Sequence, residues 1–186
     1  MVYPIVAYGN PVLKKRAKEI DKNYPGLQQL ISDMYDTMYF SQGVGLAAPQ
    51  INLSIRLFVT DGKPFIEEDS KMTDFKKVFI NPVIIEEEGK EWKFNEGCLS
   101  IPGIREDIDR KEGVHLKYFD ENFVEHDEVF EGVAARIIQH EYDHLEGILF
   151  IDRLTPFKKR LLKGKLQDIS VGKVDVDYKM KFATKK

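Results

Sequence analysis

One short segment constrains this chain more than any other: His140-Glu141-Tyr142-Asp143-His144. Residues four apart on an α-helix share a face, so both imidazoles can reach a single cation. The glutamate between them projects about 100° round the helix and can reach water at that cation. The flanking residues suit a helix, because the pattern turns helical from about Glu131 and Gly147 is a natural stop. A fold that uses this segment must bring a third donor to it, since a catalytic site needs three protein ligands and an open position.

Downstream that donor is missing. No histidine follows His144, and Glu146 stands too near to turn back onto the same cation. Asp152, Asp168, Asp175 and Asp177 lie in no recognisable setting of a zinc peptidase. Upstream, the one cysteine of the chain occurs in Glu96-Gly97-Cys98-Leu99-Ser100. A lone cysteine is ordinarily a small buried hydrophobe. Here the helix is one ligand short, and the glycine beside Cys98 suits close backbone approach to a bound group. A thiolate, two imidazoles and a water make a tetrahedral site for Zn(II) or Fe(II).

The remaining sequence reads as one α+β domain over residues 1–186. Hydrophobic residues at 42% and charged residues at 32% belong to a globular protein able to bury a core. Leu27, Leu30, Ile31, Met34 and Met38 recur at helical spacing from Pro25 to about Phe40, ending before a glycine-rich stretch at Gly43. Ile55–Thr60 and Val78–Ile85 read as strands, and Val114–Phe119 and Phe123–Val129 as a hairpin. Thr155-Pro156 opens a short basic helix, and Val174–Phe182 alternates like a half-buried or edge strand. The predicted architecture is short, mostly antiparallel strands around a central metal-binding helix, with a C-terminal strand.

A net charge of -3 with dispersed Lys and Arg predicts no specific nucleic-acid partner. Lys158-Lys159-Arg160 reads as a solvated helix face, with ribosome or RNA contact the less ordinary alternative. One thiol cannot form an internal disulfide, the N-terminus has no signal-peptide pattern, and no apolar run approaches a membrane span. A cytoplasmic protein with no membrane association is expected.

Three segments resemble the signature segments of peptide deformylases, in family order and spacing. They are Gly43-Val44-Gly45-Leu46-Ala47-Ala48-Pro49-Gln50, Glu96-Gly97-Cys98-Leu99-Ser100 and Gln139-His140-Glu141-Tyr142-Asp143-His144-Leu145-Glu146-Gly147. The likeness runs from about Ile5 to Leu162. Asn52 departs from it, standing where many members have glycine, as does the strand that replaces a long C-terminal helix.

The resemblance implies removal of the N-formyl group from formylmethionyl peptides leaving the ribosome, with release of formate. Metal-bound hydroxide would attack the formyl carbon, with Glu141 as general acid/base. The Gln50 side-chain amide and the Leu99 N–H would stabilise the oxyanion, each worth roughly 3 kcal/mol by analogy with other oxyanion holes. Gly45 would let the first segment lie close. The resemblance also implies one divalent metal ion per chain: Fe(II) as the physiological ion, with Ni(II), Co(II) or Zn(II) able to occupy the site.

Counting back from His140 places Ile137, Arg136 and Val133 on the metal-facing side of the helix. With Val44 and Phe94 they are expected to line a slot for methionine, plain core being the alternative for Val133 and Ile137. Glu96 is expected to be held by Arg110 or Arg105. Arg105 could instead contact the substrate backbone, as its family counterpart does. The competing activities are a metallopeptidase and a metal-binding module without turnover. Intact Glu141 and Gln50 argue against the second.

Overall fold

A computed structural model describes residues 1–183. Five strands form one antiparallel sheet in the order β2 (Gly45–Ala47), β3 (Leu57–Asp61), β4 (Lys76–Cys98), β5 (Ile101–Phe119), β6 (Glu125–Glu131). The chain ends make a second, parallel pair from β1 (Ile5–Val6) and β7 (Met180–Lys181). Helix α1 (Leu27–Phe40) buries Leu27, Leu30, Ile31, Met34 and Met38, the residues its spacing singled out. Helix α2 (Gly132–Leu145) crosses the sheet in contact with β2, β3, β5 and β6. Its C-terminal turn stops at Gly147, whose φ of 74° is left-handed.

Two strands are far longer than expected. β4 has 23 residues and β5 has 19, paired as one bent hairpin whose outer arm carries Glu86–Lys93. That arm is mostly exposed, so no hydrophobic alternation marks it, and its register shifts at several points. One shift, between Glu88 and Glu91, holds Gly89 at φ 82°. Bulges of this kind bend a strand and can conceal it from pattern reading.

Helix α3 (Pro156–Ser170) is also longer than expected, at 15 residues. Proline occupies its first turn, and the Thr155 side chain accepts from the Lys158 N–H at 3.4 Å. The neighbouring cations have partners within the chain: Lys158 Nζ donates to Glu106 at 2.6 Å and Lys159 Nζ to the Asp152 carbonyl at 2.7 Å.

In the tail, Val174, Val176, Tyr178, Met180 and Phe182 are half-buried while the residues between them are exposed. The alternation is therefore real, but the ladder covers only Met180–Lys181, and the rest is an extended strap. Among the described residues no helix is long and apolar enough to cross a membrane.

Candidate active site

The three expected ligands converge. Cys98 is the last residue of β4, at the mouth of the two-residue turn Leu99-Ser100 that leads into β5. His140 and His144 face it from α2, and the potential ligand atoms of all three lie within 4.8 Å of one another. Cys98 Sγ is 3.3 Å from His144 Nε2. Burial alone would push the Cys98 thiol up, but the two facing imidazoles bring it down to about 5. A thiolate with two imidazoles is a fitting donor set for a divalent transition metal. Membership of a metal group is thus supported by chemistry as well as spacing.

A buried ion network holds these ligands. His140 Nδ1 is 2.9 Å from Glu96 Oε2, an arrangement that leaves Nε2 for a metal. Glu96 is itself gripped by Arg110 at 2.7 and 3.0 Å and by Arg136 at 2.9 Å. Arg110 also reaches Asp143 on α2 at 2.7 Å, and Asp143 is paired with Arg153. Burial opposes ionisation of Glu96, yet His140 and Arg110 outweigh it and hold the carboxyl well below its usual range. Of the two arginines expected to hold Glu96, Arg110 does so. Arg105 bonds Asn95 instead, through Oδ1 at 2.8 Å and the carbonyl at 2.6 Å. It covers Gly97, where an added Cβ would lie 2.9 Å from its Nη1, so that glycine admits a guanidinium.

Gln50 sits in a 3₁₀ turn (Ala48–Ile51) that follows β2. Its Oε1 accepts the Ala47 N–H at 2.9 Å, which fixes the amide so that Nε2 faces Cys98 Sγ and Ser100 Oγ, each at 3.4 Å. The turn closes at Asn52 with φ 68°. The position needs a left-handed backbone, which glycine adopts freely and asparagine tolerates, so the departure at Asn52 keeps the turn.

Glu141 is 4% exposed, and its Oε2 has no hydrogen-bond partner among the described residues. Burial raises its carboxyl to about 7 against the pull of His140 and His144. A buried carboxyl poised near neutrality, with an oxygen uncommitted, has the properties of a general acid/base. Gly45 makes room for it: a Cβ there would fall 2.7 Å from Glu141 Cδ.

These groups open into a cavity of about 500 Å³. Val44, Gly45, Gln50, Phe94, Cys98, Leu99, Arg105, Arg136, Ile137, His140 and Glu141 all line it. Val133 does not: it belongs to the buried cluster that takes in Phe58, Ile137 and Ile138. Seven residues, about two helical turns, put Val133 roughly 10 Å along the axis from His140, beyond the cavity.

Arg136 is 1% exposed and committed to Glu96, the Ile108 carbonyl and the Trp92 carbonyl, with its guanidinium 4.7 Å from the Trp92 ring. Among the wall residues that the sequence reading did not single out are Phe65 and Tyr178. Phe65, 5.9 Å from Phe94 between ring centroids, ends a short 3₁₀ turn (Lys63–Phe65) that no periodicity marks. Tyr178 was visible only as one member of an alternating tail.

A sequence model of the polypeptide deformylase family matches residues 2–160. The peptide deformylases of Christiangramia forsetii and Cytophaga hutchinsonii are each 55% identical to the chain over its whole length, and the match covers 98% and 100% of those proteins. The crystal structure of a peptide deformylase from Legionella pneumophila superposes with a TM-score of 0.80 at 39% identity, covering 93% of this chain and 98% of that one. The chain belongs to the polypeptide deformylase family.

Proposed function

We propose that Glu141, Gln50 and the Leu99 N–H carry the deformylation that family membership assigns to this chain, the hydrolysis of N-formylmethionyl peptides to formate and a free amine. A divalent cation held by Cys98, His140 and His144 would supply Lewis acidity, making water nucleophilic near neutral pH. Glu141 takes a proton from the water that adds to the formyl carbon. It returns that proton to the amine nitrogen as the C–N bond breaks. Gln50 Nε2–H and the Leu99 N–H donate to the formyl oxygen as negative charge develops there. Gly45 keeps space for the Glu141 carboxylate. Ile137, Val44, Phe94 and the Arg136 stem form an apolar slot for the methionine side chain, and Arg105 at the rim faces the peptide backbone.

The observation that carries this reading is the fixed Gln50 amide, aimed at Cys98 beside a buried carboxyl whose second oxygen is uncommitted. A purely structural metal site has no use for either group. The cation in this proposal is Fe(II), with Ni(II), Co(II) or Zn(II) able to take the same donors. A polarisable thiolate beside two imidazoles supports that range. Formylated peptides occur where new chains leave the ribosome, so the proposed setting is the cytoplasm, with at most transient ribosome contact.

Incubation of the metal-loaded protein with formyl-Met-Ala, and with longer peptides lacking the formyl group, tests the reading. Release of formate with every peptide bond intact is the expected result. Peptide-bond cleavage without formate release would replace this reading with a metallopeptidase.

A further inference from the structure

The mechanism above leaves the C-terminal strap without a role, although it reaches the active site. Val176, Asp177 and Tyr178 line the same cavity as Cys98, Gln50 and Glu141. The strap lies beyond residues 2–160, which carry the family match. Tyr178 Oη donates to the Leu99 carbonyl at 2.8 Å. One residue on, the Ser100 carbonyl accepts the Tyr8 N–H at 2.9 Å. Consecutive carbonyls of the turn after Cys98 are therefore held by the two ends of the chain.

Those ends are joined to one another. The Ile5 N–H donates to the Lys179 carbonyl at 2.8 Å and the Ala7 N–H to the Lys181 carbonyl at 2.9 Å. Behind the strap, the Phe182 ring rests on Gly172, where an added Cβ would lie 3.3 Å from it. The strap is thus pinned directly after Tyr178, at Lys179, Lys181 and Phe182, and the phenol is presented to Leu99 from a fixed base.

We propose that Tyr178 is a positioning residue for deformylation: by holding the Leu99 carbonyl it orients the Leu99 backbone so that its N–H meets the oxygen of the tetrahedral intermediate. Leu99 lies in a two-residue turn beside the metal thiolate, with no ladder partner of its own to fix its peptide planes. An oxyanion donor is effective only when already aligned, because its value comes from not having to reorganise during the reaction. Tyr178 does not touch the reacting atoms. Its effect falls on kcat, and substrate affinity in the apolar slot is left alone.

The inference rests on the assignment of the Leu99 N–H as an oxyanion donor. Tyr178→Phe in the full-length, metal-loaded enzyme removes the hydroxyl and keeps the ring. With formyl-Met-Ala-Ser as substrate, kcat should fall about tenfold, less than the 10²–10³ lost when a donor itself is removed. KM, bound metal and melting temperature should stay close to those of the parent. Tyr178→Leu, which loses the ring as well, should lower kcat at least as far.

An unchanged kcat in Tyr178→Phe would overturn the proposal. So would a fall accompanied by loss of metal or a matching rise in KM, since either would make the hydroxyl a merely structural contact. If the parent released no formate, the deformylase reading would fail, whatever the variants did.

Discussion

Gly45 faces the Glu141 carboxylate so closely that even one methyl group would displace it. A misplacement of about 1 Å at a catalytic group can cost roughly 10²-fold in rate. Gly45→Ala should accordingly reduce formate release by about that factor while the three ligands keep their metal, as kinetics beside elemental analysis would report. Ile137 and Val133 make a contrasting pair on the same helix. Both belong to the same buried cluster, but only Ile137 also lines the cavity. Ile137→Ala should therefore weaken the preference for formyl-Met over formyl-Ala by about tenfold, the order expected for lost apolar contact in a slot. Val133→Ala should leave that preference alone and lower the melting temperature, as a core cavity does. Competition assays and thermal melts on both variants distinguish the two roles. If Val133→Ala altered specificity, the cavity wall would be misdrawn.

At the scale of elements, the site is a junction between the β4–β5 hairpin and α2, and charge fastens it. Glu96 on β4 binds Arg110 on β5 and Arg136 on α2, while Arg110 binds Asp143 on α2. These side chains are almost wholly buried. Breaking a buried ion pair from one side leaves the other charge uncompensated, at a cost of about 3–5 kcal/mol. Glu96→Gln should destabilise the fold by that order in denaturant unfolding, and it should also loosen metal binding, because His140 loses its carboxylate partner. A variant as stable as the parent would show that the network does not fasten the junction.

The sequence marked α1 and α2 clearly because each buries a stripe at helical spacing. It gave no sign of the outer arm of β4, where Glu86–Lys93 is polar and bulged. The metal ligands were legible because their donor chemistry and spacing are specific. The partner of Glu96 was not, since Arg105 and Arg110 both lie across the hairpin and only the bulge-shifted register decides between them.

Across the whole molecule, both chain ends return to the turn after Cys98, and β1 pairs with β7 there. Nothing in the alternating tail could announce this destination, because a period of two specifies a face but no partner. Gln50, Cys98 and Glu141 thus come from segments far apart in sequence, brought together by α2 lying against the sheet. The claim that this assembly is catalytic, with Glu141 moving the proton, is tested most directly by Glu141→Ala, assayed for formate release beside metal analysis. Turnover should fall by about 10²–10⁴-fold, the usual contribution of general acid/base catalysis, with metal content remaining near one ion per chain. Formate release at the parental rate with the metal in place would contradict the account.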